Sequence, residues 1–527
     1  MKRFFYISLL CLTGILPALA QQSESMRKLS LADFAITHLY VDSVDESKLV
    51  EDAIRGMLEK LDPHSSYTTA EETKELTEPL QGNFSGIGIQ FNVVKDTLVV
   101  VQTISGGPSE KVGILAGDRF IAVNDTVIAG KGMKNNDMMK MLRGETGTTV
   151  RISVARRGVA TPIEFKIVRD RIPIHSIDAA YMIDKNTGYI RISRFAATTA
   201  DEFEQALRRL NKKRMKNLIV DLQGNGGGYL NSAVSIADDF LSDGQDIVYT
   251  EGRRSPRDYA RASRGGSFQR GKLAILVDEN SASASEILSG AVQDWDRGVI
   301  IGRRTFGKGL VQRPIPFPDG SMMRLTVSRY YTPSGRSIQK PYSKGREEYH
   351  RDLLNRYNHG EYMSADSIHF ADSLRYTTLK NKRTIYGGGG IMPDIFVPLD
   401  TTRYTDFHRD LAAKGILNFF PIAYLDAHRK ELLAAYKDAD SFIARYTVSD
   451  EMLDEMLKMA ETERVKFDEA QYRISQPLIR LQLKAILARD LYDTDAYFRV
   501  MNPENGAYAK AVEILGNETE YNRLLGK

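Results

Sequence analysis

Two short segments hold the residues whose types and spacing could support catalysis. The run Ser-Ala-Ser-Ala-Ser-Glu at 281–286 follows the apolar run Leu273–Val277 and precedes an amphipathic stretch. This pattern predicts a strand, a tight turn and a helix, where a serine hydroxyl can lie beside helix N-terminal N–H groups. The second segment, Thr-Phe-Gly-Lys-Gly at 305–309, places Lys308 between two glycines just after the apolar run Val299–Gly302.

No histidine occurs between Ser176 and Tyr349, so a serine hydrolase built from these segments needs another general base. A free lysine amine, with a pKa of about 10.4, is protonated at neutral pH and cannot accept a proton. Burial disfavours the ammonium ion and can lower this pKa by several units. The sequence therefore favours Lys308 as the base of any serine hydrolase built here.

The segments that flank these turns alternate between strand and helix patterns from about residue 172 to residue 338. Such alternation predicts an α/β domain with a largely parallel sheet, and ligands bind at the carboxyl ends of its strands. The glycine-rich loop at 221–228, the serine run and the lysine turn each follow a predicted strand, so we expect them to form one site. The predicted strands are Thr187–Ile192, Leu218–Leu222, Leu273–Val277, Val299–Gly302 and Met322–Tyr331, and the predicted helices are Thr199–Leu210, Leu230–Leu241 and Ser285–Trp295.

Residues 81–170 have a different pattern, with short β runs and glycine turns interrupted by one predicted helix, Asn135–Leu142. The loop Gly86–Ile89, the stretch Pro108–Ile114 and the turn Gly117-Asp118 resemble those of a PDZ domain. Such a domain binds a peptide as an added strand, while loop N–H groups hold the terminal carboxylate. Taken alone, the glycines of this loop could equally be simple turn residues. The resemblance assigns peptide binding to Gly86, Ile87, Gly88 and Ile89.

Helical patterns flank these two domains. In the N-terminal region, 21–80, apolar residues at helical spacing continue to Leu61, and Pro63 ends the pattern. Residues 342–383 are charged, tyrosine-rich and weakly periodic, which indicates an insertion into the core domain (171–341 and 384–400). From residue 401 to residue 527 the chain is predicted to be helical, with a capping-box spacing at 447–450. We interpret this C-terminal domain as a region for contacts or assembly.

The composition is that of a globular protein, with 42% hydrophobic and 27% charged residues. A net charge of +4 and the lack of a basic block in the sequence argue against nucleic-acid binding. Residues 1–20 have the charged start, apolar run and small-residue end of a secretory signal peptide. The only cysteine, Cys11, lies there, so thiol catalysis and disulfides are excluded after its removal. We expect a periplasmic protein; the alternative, an N-terminal anchor, would make it membrane-associated.

The motifs, in this order, resemble the carboxyl-terminal processing (tail-specific) serine proteases with a PDZ domain. The resemblance implies a multidomain α/β fold: a ClpP/crotonase-like α/β protease core, an inserted PDZ domain, and helical N- and C-terminal regions. By this resemblance Ser283 is the catalytic nucleophile, Lys308 its base and Gln312 the partner of the lysine. The resemblance runs from about residue 40 to residue 395 and includes Leu61–Tyr67, Asp221–Gly228, Ser283–Glu286, Gln293-Asp294 and Phe306–Gly309.

The glycine run after the predicted strand Leu218–Leu222 precedes a helix, so its N–H groups could stabilise an oxyanion together with the N–H of Ala284. Members of the family often have arginine where Gln223 stands and proline where the first glycine of the run stands. Because of these departures, we predict both Gly227 and Gly228 as donors of the oxyanion hole.

No cofactor or metal site is predicted. The segment 302–309 comes close to a phosphate-binding P-loop, but a glycine replaces the hydroxyl residue that would bind magnesium. His64 has no second histidine at ligand spacing, so we interpret it as a turn residue. Two rival functions stay open: a PDZ-bearing scaffold or holdase that binds unfolded polypeptides without cleavage, and a Ser–His–Asp hydrolase that uses His175 or a C-terminal histidine.

The predicted function is an exported serine endopeptidase that recognises the C-terminal tails of polypeptide substrates through its PDZ domain. It would cleave them with the Ser283–Lys308 dyad. An adaptor lipoprotein and a second copy of the chain, bound through the helical regions, are candidate partners.

Overall fold

The computed structural model describes residues 23–94, 96–104, 106–263 and 265–527. The predicted signal peptide and Cys11 lie outside these residues. The N-terminal region is mainly helical, as predicted, and one short strand interrupts it. Its elements are α1 (Glu24–Leu39), α2 (Glu46–Glu59), β1 (Ser66–Thr68) and α3 (Ala70–Gln81).

The second domain is a β-sheet domain with one short and one longer helix. Its strands are β2 (Asn83–Gly86), β3 (Ile89–Val94), β4 (Thr97–Thr103), β5 (Arg119–Val123), β6 (Thr126–Val127), β7 (Thr149–Ala155), β8 (Ile163–Val168) and β9 (Asp170–Pro173), and its helices are α4 (Pro108–Lys111) and α5 (Asn135–Leu142). The main sheet has the order β3-β4-β5-β7-β8, with β6 on β5, and all pairs are antiparallel. Strands β2 and β9 pair where the chain enters and leaves, so the domain is an insertion.

The core domain contains the predicted alternation of strands and helices. Its elements are β10 (Ile177–Met182), β11 (Thr187–Ile192), α6 (Thr199–Lys212), β12 (Asn217–Asp221), α7 (Leu230–Asp238), β13 (Asp246–Gly252), β14 (Ser255–Arg261), β15 (Lys272–Val277), α8 (Ala284–Asp294), β16 (Val299–Gly302), β17 (Leu310–Pro316), β18 (Met322–Tyr331), α9 (Arg346–Asn358), β19 (Arg375–Thr377), β20 (Thr384–Tyr386) and β21 (Ile395–Phe396). One six-stranded sheet has the order β10-β11-β12-β15-β16-β21, and only its β10–β11 pair is antiparallel. Residues 273–277 of β15 are completely buried, as expected for a strand covered on both faces.

A second, antiparallel sheet was not foreseen. It has the order β1-β18-β13-β14, and β17 also pairs with β18. The β1–β18 pairing sets Ser66 opposite Arg324. Because β17 begins two residues after Lys308, this sheet brings the N-terminal segment 61–67 next to the lysine turn.

The predicted insertion 342–383 contains α9, which packs on the lysine turn. The buried guanidinium of Arg356 donates to the carbonyls of Arg304 and Thr305 at 2.6 and 3.0 Å. The insertion therefore supports the segment that carries Lys308.

The C-terminal region is helical, as predicted, and it makes two separate sets of contacts. Its helices are α10 (Asp406–Ala413), α11 (Ile416–Ala435), α12 (Ala439–Arg445), α13 (Asp450–Thr462), α14 (Glu469–Leu491), α15 (Thr494–Met501), α16 (Gly506–Gly516) and α17 (Glu518–Leu524). Helices α10–α15 share a core of their own, whereas buried residues of α16 and α17 pack on the parallel sheet. No helix in the described ranges is long and apolar enough to cross a membrane.

Candidate active site

The three loops predicted to meet at the carboxyl ends of the strands do contact one another. The N–H of Ala282 donates to the carbonyl of Asn225, and the N–H of Phe306 donates to the carbonyl of Ser281, both at 3.0 Å. A cleft of about 530 Å³ opens at this junction, and Ser283, Gly228, Gln312 and Tyr330 line it.

Ser283 lies in the turn between β15 and α8 with a backbone φ of +56°. A positive φ in this sparsely populated region costs a non-glycine residue roughly 1–3 kcal/mol, and such strain persists only where the surroundings impose it. Here the N–H of Ser283 donates to Oε2 of Glu286 at 2.8 Å. The turn presents a half-buried serine side chain to the cleft at the start of a helix.

Lys308 follows β16 in a turn that two glycines permit. Gly307 has a φ of +88°, and a Cβ on it would come within 3.0 Å of the backbone nitrogen of Gly390 and 3.1 Å of Cβ of Lys340. Burial lowers the pKa of Lys308 to about 8, and the positive charge of Arg324 lowers it further. The negative charges of Glu286 and Asp62 act in the opposite direction and raise this pKa. A substantial fraction of the amine is therefore neutral at mildly alkaline pH.

Glu286 connects the serine and lysine turns. Its carboxylate is completely buried and accepts four hydrogen bonds. Oε2 accepts from the N–H groups of Ser283 and Lys308 at 2.8 and 2.9 Å, and Oε1 accepts from the N–H of Gly307 and the hydroxyl of Thr305. Burial raises the pKa of Glu286 to about 7 against these four donors, which favour the ionised form.

Tyr330 on β18 makes a second connection between the same two turns. Its buried hydroxyl contacts the carbonyl oxygens of Ser283, at 3.1 Å, and Lys308. Ser283 and Lys308 thus have both their backbone N–H and their backbone C=O groups held by shared partners. No hydrogen bond joins the hydroxyl of Ser283 to the amine of Lys308 here; such bonds often form only once substrate is bound.

The predicted oxyanion loop requires one correction. The N–H of Gly227 donates to Oδ1 of Asn225 at 2.8 Å, so it is not free to stabilise an oxyanion. The N–H groups of Gly228 and Ala284 have no acceptor among the described residues. Gly228 has a φ of +148°, and a Cβ on it would lie 2.1 Å from the carbonyl oxygen of Phe195, so only glycine fits. Gly228 and Ala284 remain the candidate donors.

Gln312, the predicted partner of the lysine, lines the cleft from β17. Its Nε2 donates to Oγ1 of Thr326 at 3.3 Å. The structure does not bring Gln312 into a hydrogen bond with Lys308, and Oε1 of Gln312 has no hydrogen-bond partner within the ranges described.

The four residues predicted to bind a peptide terminus, 86–89, line a small cavity of about 80 Å³. The apolar side chains of Met139 and Leu142, from α5, form its opposite wall, and Arg143 lies at its edge. Gly88 has a φ of +73°, and a Cβ there would meet Cδ1 of Ile172 at 3.0 Å. The loop and α5 thus form a narrow apolar groove.

Four family models match the chain. They are peptidase family S41 over residues 186–345, a PDZ domain over 85–167, the N-terminal domain of the activating protease CtpB over 16–73, and a family of unknown function over 407–493. A carboxy-terminal-processing protease of Bartonella bacilliformis is 39% identical over 306 residues, which cover 57% of this chain and 69% of the relative. The chain belongs to the carboxy-terminal processing proteases.

A second relative from this family, the carboxy-terminal processing protease CtpA of Bacillus subtilis, is 34% identical over 366 residues, or 68% of this chain and 77% of the relative. The solved photosystem II D1 C-terminal processing protease is 30% identical and covers 60% of this chain and 91% of its own, with a TM-score of 0.35. A likeness at that score carries no structural argument, so the assignment depends on the sequence matches.

Membership of the carboxy-terminal processing proteases confirms the predicted S41 protease core with a PDZ domain and helical regions at both ends. It makes the chain a serine-type peptidase rather than a scaffold without cleavage, and the PDZ domain implies binding of peptide C-termini.

Histidine is a poor candidate for the base of this processing protease. His175 is largely exposed and lies 3.9 Å from Glu202, and no histidine lines the cleft. His64 bonds through Nε2 to the hydroxyl of Tyr349 at 2.8 Å. Burial, aided by the charge of Lys308, lowers the pKa of His64 to about 3, so this imidazole is neutral at working pH.

The sequence motifs assign no role to several residues around this protease site. Glu286 had a visible signal, because it stands three residues after Ser283 in a capping-box spacing. Asp62 lies in a segment that carried the family resemblance, but no pattern linked it to Lys308. No sequence pattern indicated a role for Tyr330 or Thr326, because their strand, β18, was not expected to border the site.

Proposed function

We propose that this carboxy-terminal processing protease is an exported serine endopeptidase in which Ser283 is the nucleophile and Lys308 the general base. The observation that carries the proposal is the pair of shared backbone partners, Glu286 and Tyr330, which hold the two turns together beside one cleft. The lowered pKa of Lys308 supports its role, because a base must be neutral to accept a proton.

In the proposed reaction the neutral amine of Lys308 takes the proton of the Ser283 hydroxyl as Oγ attacks the scissile carbonyl carbon. The N–H groups of Gly228 and Ala284 stabilise the negative oxygen of the tetrahedral intermediate. Lys308 then returns the proton to the leaving amine, and an acyl-enzyme forms on Ser283. A water molecule, deprotonated by Lys308, hydrolyses this ester and regenerates the serine. Gln312 orients the lysine amine.

Substrate tails are proposed to bind as a strand beside β3 of the PDZ domain. The terminal carboxylate would accept from N–H groups in the loop 86–89, and the last side chain would enter the small apolar groove against Met139 and Leu142. A cavity of about 80 Å³ suits a small apolar residue.

Export and assembly are further parts of this proposal. The pattern of residues 1–20 supports secretion to the periplasm, with membrane association if the segment is kept as an anchor. The exposed apolar side chains of Leu31, Phe34 and Leu39 on α1 support an interaction of the N-terminal helices with a second copy or an adaptor lipoprotein.

The test compares the wild-type protein with Ser283→Ala and Lys308→Ala on β-casein, an unfolded polypeptide. Both variants are expected to lose cleavage by at least roughly a thousandfold while keeping the same circular dichroism spectrum and the same affinity for a fluorescent peptide with an apolar C-terminus. A serine-reactive phosphonate should label Ser283 in the wild-type protein and fail to label Lys308→Ala. Cleavage by either variant at the wild-type rate would contradict the dyad.

A further inference from the structure

The shape of the turn at 61–67 depends on one carboxylate, that of Asp62. Its Oδ1 accepts from the N–H groups of His64 and Ser65 at 2.8 and 2.9 Å, and its Oδ2 accepts from the hydroxyl of Ser65 at 2.5 Å. Oδ1 also lies 3.0 Å from Oγ1 of Thr326 on β18. Partial burial opposes ionisation, but these hydrogen bonds hold the pKa of Asp62 below its usual value. The group is therefore a carboxylate that can only accept.

The direction of the hydrogen bonds beyond Asp62 follows from counting protons. The hydroxyl of Thr326 has one proton, and a carboxylate partner has none to give, so Thr326 donates to Asp62. The oxygen of Thr326 must then accept from the side chain of Gln312, which lies 3.3 Å away on the paired strand β17. Only the NH₂ end of an amide can donate. The chain from Asp62 through Thr326 thus fixes which end of the Gln312 amide points to Thr326 and leaves Oε1 for another partner.

We propose that Asp62 and Thr326 are positioning residues that hold the amide of Gln312 with Oε1 available to the amine of Lys308. This inference rests on the proposed Ser283–Lys308 dyad. If the amide turned over, its NH₂ group would face the lysine, and two donors would repel each other when Lys308 is protonated during the reaction. The turn at 61–67 therefore acts on catalysis through the orientation of one amide.

The charged and titratable groups that act on Lys308 come from three directions. Asp62 and His64 approach from the turn, Arg324 from β18, and Glu286 from α8. The charge of Asp62 raises the pKa of Lys308, whereas the charge of Arg324 lowers it. Without the charge of Asp62 the pKa of Lys308 should fall, so Asp62→Asn should shift the acid limb of the pH–rate profile to lower pH. Replacing Thr326 changes no charge, so its effect should appear mainly in kcat, and the acid limb should shift less than in Asp62→Asn.

The main experiment compares Thr326→Val, which removes the hydroxyl and keeps the branched shape, with Thr326→Ser, which keeps the hydroxyl. Cleavage of β-casein by Thr326→Val should have a kcat lowered roughly 3- to 10-fold with KM little changed, the size expected for one lost orienting hydrogen bond. Thr326→Ser should retain more than about half of the wild-type kcat. The matched control is Thr402→Val, which removes the exposed Thr402–Asp400 hydrogen bond outside the cleft and should leave kcat unchanged.

A double variant separates positioning from general damage. In a Gln312→Ala background there is no amide to orient, so adding Thr326→Val should lower kcat no further. Full additivity of the two changes, or equal kcat values for Thr326→Val and wild-type protein, would overturn the inference. If the acid limb of the pH–rate profile were unshifted in Asp62→Asn, the charge of Asp62 would have no effect on the pKa of Lys308, and that part of the inference would be wrong. Failure of the dyad itself would look different, because Ser283→Ala or Lys308→Ala would then remain active.

Discussion

The backbone N–H groups of Ser283 and Lys308 converge on a single carboxylate oxygen, Oε2 of Glu286, at 2.8 and 2.9 Å. The hydroxyl of Tyr330 contacts the carbonyl oxygens of the same two residues. Two turns separated by 25 positions in the sequence are thus held in one arrangement by their backbones.

Replacing Glu286 by glutamine should disrupt this arrangement. Glutamine keeps the shape but turns one acceptor oxygen into an NH₂ donor, which would then face N–H or O–H donors of the two turns. Buried donors without acceptors cost about 1–3 kcal/mol each, so we expect a loss of roughly 2–4 kcal/mol in the free energy of unfolding of the core. Activity should fall at least about 100-fold.

Unfolding of the core can be followed through Trp295, the only tryptophan, which ends α8 and donates through Nε1 to the carbonyl of Asp246. A matched control is Glu279→Gln, which changes an acidic residue paired with Arg303 away from Glu286. Wild-type activity in Glu286→Gln would mean that the shared carboxylate does not hold the catalytic turns.

The rate should rise with pH through the titration of Lys308. Burial lowers the pKa of this amine to about 8, so the fraction of neutral base grows as pH increases from 6 to 9. We expect kcat/KM for β-casein to level off above about pH 9, to fall roughly tenfold per pH unit between pH 8 and 7, and to fall more steeply below pH 7, where Glu286 also becomes protonated. His175→Ala, the control, should give the same profile. A midpoint near 6.5, moved by a histidine substitution, would point to a different base.

The oxyanion hole can be tested with two neighbouring glycines. Gly228→Ala places a Cβ against the carbonyl oxygen of Phe195 and should displace the N–H that faces the cleft. Loss of one such donor lowers kcat by about 100- to 1,000-fold in serine proteases. Gly226→Ala is the matched control, because its Cβ would enter open space and its φ is not positive. Equal activity of the two variants would remove Gly228 from the mechanism.

The sequence predicted the parallel sheet well, because its strands are nearly continuous apolar runs and its helices are amphipathic. The antiparallel sheet was missed. Strands β14 and β17 carry prolines and charged residues at exposed positions, so neither shows a clear alternating pattern. The sheet is completed by the pairing of β18 with β13 and with β1, which joins residues far apart in the chain.

The catalytic residues were predictable where they lie in a short local sequence motif. Ser283 and Lys308 stand in such motifs, and both belong to loops that the structure brings together. The sequence predicts both Gly227 and Gly228 as oxyanion donors, because sequence alone does not say which N–H group a neighbouring side chain will engage; here Oδ1 of Asn225 accepts from the N–H of Gly227. Asp62 lies 246 positions before Lys308, and no local pattern could connect them.

Tail recognition should depend on the groove between the loop 86–89 and α5. Met139→Asp puts a charge into this apolar groove and beside the incoming carboxylate, so KM should rise roughly fivefold or more for an unfolded substrate that ends in three apolar residues. A substrate that ends in three aspartates should bind the wild-type protein weakly, and its KM should change little in Met139→Asp. The control, Lys140→Gln, alters an exposed neighbour that does not line the groove. Equal cleavage of both substrates by the wild-type protein would contradict tail reading.

The insertion should matter for catalysis through Arg356 on α9. Its guanidinium donates to the carbonyls of Arg304 and Thr305 just before the lysine turn, and it is almost completely buried. Arg356→Met fills similar space but leaves both carbonyls without this donor, which should cost roughly 2–3 kcal/mol of unfolding free energy and lower kcat about tenfold. Arg351→Met on the same helix removes only an exposed pair with Glu347 and should change neither quantity. If both variants behaved alike in Trp295-monitored unfolding and in kcat, α9 would be a surface addition that leaves the position of Lys308 unaffected.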